Sequence, residues 1–539
     1  MKKFVILILI LILLSLAFSL QAHGLQAEDY VQGEALAVFN DNNFNAASLK
    51  PAGLEVNKIY NALSDLSGNL NLKAASLNGL NGNLKFALIK SSNKTTQELI
   101  SELKSRPDVV AVSPNYLVNI NNFEAASLAE LNLTPNDASF DELWGIKKIN
   151  APEVWKEGYT GSKNIHAVIM DSGIDRHVDL LDNIAEDLGI AFENGQRWSN
   201  DMIGHGTHCA GTVGAVGNNN IGVVGVNWEV SLIPVNVCNE KGDWESYAAI
   251  MAGLDYIAGL LQADSNLKIA AINMSWGRYD YETPEESKKL PLYLAFKVFD
   301  NLDRTLMICV AGNDGINTAE PTLFANPRAA STDYGYFAAN QYRYPGAFPD
   351  LNNLISVAAT ASNDEAAYFS SWGQSVDIAA PGYQILSTFP IREIGENDSG
   401  YSYLSGTSMA APHVAGAAAL LMSAYPQATP GQIKKALLDG ANRDINPLVR
   451  PFYDLYARRE NYKYLREYYA PLYEKGRLCR TGLLDVKKSL EILGDLAGDK
   501  EHGTSSHSSS SGCNNIKLAG LGLILALILA LGFKLNNKY

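Results

Sequence analysis

The sequence predicts an α/β protein: a mostly parallel sheet flanked by helices, preceded by a small α+β domain. Three observations carry that reading. Apolar runs at 230–237, 269–274, 306–310 and 354–358 alternate with helix-like spans at 205–216, 244–261, 290–301 and 408–424. That alternation brings strands side by side through crossover helices. The run at 164–170 reads as a buried parallel strand, apolar nearly throughout. Finally, residues able to do chemistry fall where these elements end: Asp171 after 164–170, Asn313 after 306–310, Ser408 at the head of 408–424. Open α/β sheets keep their functional groups at the carboxyl ends of strands.

Taken in order, Met1-Lys2-Lys3 and the apolar run 4–20 have the layout of a secretory signal, assigned to 1–22 with a cut after Ser19 or Ala22. An uncleaved amino-terminal anchor is the alternative. Residues 28–121 form the small domain, with strand-like 34–39 and 84–90, helical periodicity at 95–105, and then Arg106-Pro107-Asp108-Val109-Val110. A polar, small-residue linker at 122–136 leads into the large unit at 137–497. A Ser/His/Gly-rich spacer at 498–515 follows, and then an apolar end at 516–539 with Lys534 and Lys538. The apolar core of that end is short for a membrane span. It reads either as a permanent anchor or as a sorting signal cleaved near Cys513. Stretches 279–289, 316–343 and 450–475 read as insertions, the first two near the cleft.

Composition narrows the function. Hydrophobic residues at 47% against 19% charged support a sizeable core rather than disorder. A net charge of −14 argues against nucleic acid as a partner. Five cysteines cannot all pair within one chain. Cys209 and Cys309 read as buried packing residues, whereas Cys238 or Cys479 could pair, which spacing cannot establish.

Three segments hold the chemistry: Asp171-Ser172-Gly173-Ile174-Asp175, His205-Gly206-Thr207-His208, and Gly406-Thr407-Ser408-Met409-Ala410-Ala411-Pro412-His413. A serine hydroxyl is a weak nucleophile until a base takes its proton, and an imidazole titrates in the right range to do so. A carboxylate fixes the imidazole. A helix start offers unpaired N–H groups to a developing oxyanion. Each residue alone has a plainer reading, as a turn residue, a structural histidine or a helix cap. These three in one order, with Asn313 at the end of its strand as a fourth, each at an element's end, do not. His166, His208 and His413 read as structural.

In the order Asp, His, Ser these segments resemble the subtilisin-like serine proteases (subtilases), most closely their thermitase and proteinase K side, over about 137–490. That order is a mark of the family, and spacing alone would not dictate it. The resemblance implies a serine endopeptidase acting on proteins or peptides without a catalytic cofactor. Asp171 would orient His205, His205 would activate Ser408, and Asn313 would hold the oxyanion. Substrate would lie along Ser275, Trp276, Gly277, Ala311 and Gly312. Structural calcium is implied at Asp137, Asp179 and Asn219 with carbonyls of Gly217, Ile221 and Val223; an Asn/Gly-rich turn is the plainer reading of that loop. It further implies that 28–121 is an inhibitory propeptide removed by self-cleavage in the connector 121–133. The product would be exported and held at the cell surface or membrane by the carboxyl-terminal segment, or released from it.

Overall fold

The computed structural model describes residues 30–40, 44, 46–50, 53–66, 84–120, 137–192, 197–239, 245–280, 282–318, 342–390, 400–449 and 476–497. The signal 1–22, the linker 122–136, the spacer, the apolar end with Cys513 and most of insertions 316–343 and 450–475 lie outside them. Among the described residues no helix is long and apolar enough to cross a membrane.

The amino-terminal domain is an antiparallel sheet of β1 (Tyr30–Asn40), β2 (Glu55–Tyr60), β3 (Leu84–Lys90) and β4 (Val109–Ile120), in the order β4-β1-β3-β2. Strand alternation sends Ala35, Ala37 and Phe39 to one face and Leu36 and Val38 to the other, and both faces are covered. The first packs on helix Thr96–Lys104 through Leu99 and Leu103. Thr95 and Glu98 form a capping box at that helix's start. The second face shares one core with helices Tyr247–Ala263 and Pro291–Leu302 of the large unit. Leu36, Val38, Phe86 and Leu88 are buried there, at about 1.5–3 kcal/mol for each such side chain. Polar contacts fix the docking: Leu63 N–H donates to Asp255 Oδ1 (3.0 Å) and Ala248 N–H to Asn115 Oδ1 (2.8 Å).

The large unit is built on seven parallel strands. In chain order these are β5 (Gly161–Asp171), β6 (Ile190–Ala191), β7 (Glu229–Asn236), β9 (Lys268–Met274), β11 (Leu306–Val310), β13 (Leu354–Thr360) and β14 (Ile378–Pro381). In space the order is β14-β13-β11-β9-β5-β7-β6. Ala167 and Ile169 of β5 face helices His205–Gly214 and Thr407–Ala424, while Val168 and Met170 face Tyr247–Ala263. Strand order reverses at the β5–β9 boundary, the kind of switch point at which open α/β sheets form a crevice beyond their strand ends.

Smaller strands complete the architecture: β8 (Glu245–Ser246), β10 (Trp276–Asp280), β12 (Tyr342–Tyr344) and the antiparallel pair β15 (Ile385–Thr388) and β16 (Tyr401–Leu404). The end of β4 runs between two of them. Leu117 and Val118 pair with Ser246 and Glu245, and Asn119 and Ile120 pair with Gly277 and Trp276. The amino-terminal sheet is thus continuous with an edge of the large unit.

Some boundaries differ from the sequence reading. The helix expected from 244 starts at Tyr247, because the Ser246 hydroxyl accepts from Ala249 N–H (3.2 Å) and caps it. The helix expected to reach 216 stops at Gly214, since Ala215 turns to ψ 139°. Strand β2 and the full length of β4 have no counterpart in that reading. The 279–289 insertion is the end of β10 followed by a short capped helix, Pro284–Ser287. Cys209, Cys238, Cys309 and Cys479 are all buried, and neither Cys238 nor Cys479 forms a disulfide with another described cysteine.

Candidate active site

Asp171 is the last residue of β5 and is fully buried. Its Oδ1 lies 2.7 Å from His205 Nδ1 and accepts from Ser172 N–H at 2.8 Å. His205 is the first residue of helix His205–Gly214 and is equally buried. The two come together because Gly206 lets that helix approach the strand end: a Cβ there would stand 2.1 Å from Gly173 O. Such a pair fixes an imidazole's orientation and tautomer and steadies it when protonated.

A second buried carboxylate, which the sequence does not single out, stands behind this pair. Asp201 Oδ1 accepts from Gly204 N–H (2.8 Å), Ile203 N–H (3.3 Å) and the Ser172 hydroxyl (2.8 Å). Its Oδ2 accepts from the N–H (2.8 Å) and hydroxyl (2.7 Å) of Thr207. Asp201 therefore serves as a cap for the His205 helix, whose own N-cap, Gly204, has no side chain to do so. Ser172 ties the two carboxylates together and accepts from Gly206 N–H at 2.9 Å. Burial pushes the Asp201 carboxyl above its usual range. An Asp three residues before a glycine at a helix head is the one signal the sequence offers for it.

Ser408 is the second residue of helix Thr407–Ala424. It exchanges hydrogen bonds with Ser275: Ser408 Oγ donates to Ser275 O (3.1 Å) and Ser275 Oγ donates to Ser408 O (2.9 Å). Cys209 links this exchange to the Asp171–His205 pair. Its Sγ lies 3.5 Å from Ser408 O and from Ser275 Oγ, and a carboxylate oxygen of Asp171, a ring nitrogen of His205 and this sulfur all fall within 4.8 Å of one another. Burial, then the charge of Asp171, pushes the Cys209 thiol well up, so it is a packing residue rather than a thiolate. Asn313 Oδ1 accepts from both the N–H (2.9 Å) and the hydroxyl (2.8 Å) of Thr407. These donors fix which way the amide faces and leave its N–H₂ on the side of Gly406, where a Cβ would lie 3.2 Å from Nδ2.

Of the expected substrate residues, Trp276 and Gly277 begin β10 directly after Ser275, and Trp276 is anchored by its indole N–H to Met170 O (2.9 Å). Ala311 differs. Its side chain is buried in a small core with Ala358, Trp372 and Val376, leaving only backbone to face a ligand. His208 and His413 are structural, as the sequence suggests. His208 Nε2 sits between Ile385 O (2.9 Å) and Ser402 O (3.1 Å), and burial lowers its pKa to about 3. His413 is likewise pushed down to about 4 by burial.

The expected calcium residues also converge. Asn219 Nδ2 donates to Asp179 Oδ1 (2.6 Å) and Asn219 N–H to Asp137 Oδ1 (3.2 Å). Asp179 Oδ2 accepts from Val223 N–H (2.9 Å) and Tyr401 OH (3.1 Å). Val216, next to Gly217, donates its N–H to Asp179 O at 2.9 Å. The carbonyls of Gly217, Ile221 and Val223 accept no backbone hydrogen bond among the described residues. Burial raises the Asp179 pKa from 3.8 to about 6, and Asp137 adds to the rise.

Comparison with known proteins bears on this arrangement. A family profile described as "Subtilase family" matches residues 162–465. Subtilisin DY of Bacillus licheniformis is 34% identical over 295 residues, covering 54% of this chain and 89% of that protein. M-protease of Shouchella clausii is 30% identical over 381 residues, covering 66% and 86%. The crystal structure of fervidolysin from Fervidobacterium pennivorans, described as a keratinolytic enzyme related to subtilisin, matches 87% of this chain with a TM-score of 0.53 at 22% identity, a likeness of fold. The match spans 62% of the fervidolysin chain.

Proposed function

Since this chain belongs to the subtilase family and is a serine endopeptidase of the subtilisin type, we propose that Asp171, His205 and Ser408 are its catalytic triad. The observation that carries this is the buried Asp171–His205 pair at 2.7 Å beside a serine at a helix start. Ser408 releases Ser275 O by rotation about one bond, passes its proton to His205 and attacks the substrate carbonyl. The oxyanion meets the Ser408 N–H and the Asn313 amide. His205 returns the proton to the leaving amine, and water then hydrolyses the acyl-enzyme by the same steps in reverse.

The amino-terminal domain acts as an inhibitor that the enzyme cuts away. Support comes from β4, whose end lies antiparallel against Trp276–Gly277, beside Ser275 and the nucleophile. This is strand addition, in which backbone bonds give affinity with little demand on sequence. The leader 1–22 fits export. Calcium fits the Asp137–Asp179–Asn219 cluster: two carboxylates, an amide and three carbonyls make an all-oxygen donor set of the kind calcium takes. A bound ion would supply the positive charge that the buried Asp179 lacks.

Labelling with a fluorophosphonate probe tests the triad. Enzyme freed of its amino-terminal domain should label at Ser408, and Ser408→Ala should not. Labelling that survives Ser408→Ala, or its absence from the freed wild-type enzyme, would refute the assignment.

A further inference from the structure

Resting on the triad just proposed, we infer that Arg343 sets primary specificity. The side chain of the residue that supplies the cleaved carbonyl meets a guanidinium, so preferred substrates carry a carboxylate or carboxamide there.

Arg343 lies on β12, opposite Tyr279 of β10, and is 6% exposed. Its guanidinium is pressed against Gly277: a Cβ built there would stand 3.0 Å from Arg343 Nε and 3.3 Å from Cζ. Arg343 therefore fills the space that a side chain at 277 would take, on that face of the strand. Gly277 and Trp276 form the edge against which β4 pairs in antiparallel register. Opposite residues of an antiparallel pair turn their side chains to the same face, and residues two apart share a face. A substrate residue opposite Gly277, and the next but one opposite Ser275, are thus both turned towards the guanidinium. Ser408 Oγ reaches Ser275 O at 3.1 Å, so the residue opposite Ser275 is the one whose carbonyl meets the nucleophile. The spacing along a strand is roughly 7 Å for two residues, which an arginine and an acidic side chain span together.

The chemistry of the group decides what it accepts. A guanidinium stays charged at any working pH and offers five N–H donors in a fork. One carboxylate occupies two of them, so a guanidinium has the donors to hold a partner within the protein and a substrate oxygen together. An apolar side chain there would offer the guanidinium no acceptor, and a lysine or arginine would bring only further donors. The chain's own connector begins with Asn121, a carboxamide.

The test is a substrate series, succinyl-Ala-Ala-Pro-Xaa-p-nitroanilide with Xaa as Glu, Asn, Phe or Lys. It is run on freed wild-type enzyme, Arg343→Gln and Arg343→Lys, with each normalised by fluorophosphonate titration of Ser408. Wild type should favour Glu and Asn over Phe in kcat/KM by about tenfold or more. Arg343→Gln should lower the Glu-to-Phe ratio by about tenfold to a hundredfold, the worth of a charge-assisted bond, and Arg343→Lys should largely keep it. Enzyme that titrates fully yet prefers Phe, with a ratio unmoved by Arg343→Gln, overturns the inference and leaves the triad standing. Absence of titration in wild type overturns both. If Arg343→Gln fails to fold, the wild-type profile and Arg343→Lys still decide.

Discussion

Replacing Asp201 with alanine tests whether the loop behind the Asp171–His205 pair sets the geometry of His205. The carboxylate accepts from five donors. One has another acceptor in place, since the Ser172 hydroxyl lies 3.2 Å from Asp171 Oδ1, and the Thr207 hydroxyl can rotate towards a new one. The Ile203 bond is long. The N–H groups of Gly204 and Thr207 remain buried and unsatisfied, at about 1–3 kcal/mol each. Relief of a buried carboxylate whose pKa burial has already raised offsets part of this. The net loss is about 2–4 kcal/mol, enough to lower the melting temperature by several degrees. His205 heads the same helix, so an ångström-scale shift should lower kcat about 10²-fold. KM should change little, because β10, the strand proposed to pair with substrate, lies elsewhere. Asp201→Asn keeps the shape and one acceptor, and should fall between. Thermal melts, and kcat and KM on a peptide anilide, decide the matter. A variant melting within a degree of wild type, with kcat within twofold, would show that Asp201 positions nothing.

Further expectations follow from the same geometry. Asn313→Ala should lower kcat about 10²–10³-fold with KM nearly unchanged, a magnitude taken from the equivalent loss in subtilisin. Steady-state kinetics check it, and a loss below fivefold would count against the role. Asp179 has its folded pKa raised to about 6 by burial. Without calcium the folded state therefore loses stability as pH rises from about 4 to about 6, by about 3 kcal/mol for such a shift. Because calcium binds the ionised carboxylate, the gain in melting temperature on adding it should be larger at pH 7.5 than at pH 5; equal gains would refute the site. The register Trp276–Ile120 and Gly277–Asn119, counted one residue further, predicts self-cleavage after Asn121. Sequencing the amino terminus of the freed enzyme, or of its first intermediate, should begin at Asn122.

The parts of the site legible in the sequence are those at the ends of strongly patterned elements. Asp171 ends an apolar strand and Ser408 starts a helix of small residues, so each is marked by its neighbours. Asp201 has no such frame. It lies in a loop, and its partners are backbone N–H groups that the sequence does not display. Arg343 is hidden differently, at the end of a stretch that reads as a surface insertion; only the pairing of β12 with β10 brings it beside Gly277. The length of β4 escapes a reading of pattern because its last residues are apolar and polar without rhythm, and edges of another unit hold them extended.

Under the inhibitory role proposed for the amino-terminal domain, that arrangement of β4 separates cleavage from release. Its end is held by backbone pairing to β8 and β10, contacts that any extended substrate would remake. The domain as a whole is held by an apolar face, with Leu36, Val38, Phe86 and Leu88 packed against the helices Tyr247–Ala263 and Pro291–Leu302. Cutting the chain beyond β4 breaks one covalent link and removes none of that buried area, which at about 1.5–3 kcal/mol per side chain outweighs the few strand bonds. Cleavage alone should therefore leave a docked, still inhibited complex. Size-exclusion chromatography of freshly cut enzyme should show both pieces together, with activity appearing only when the amino-terminal piece is itself degraded. Activity rising in step with the first cut would mean that the apolar face does not hold.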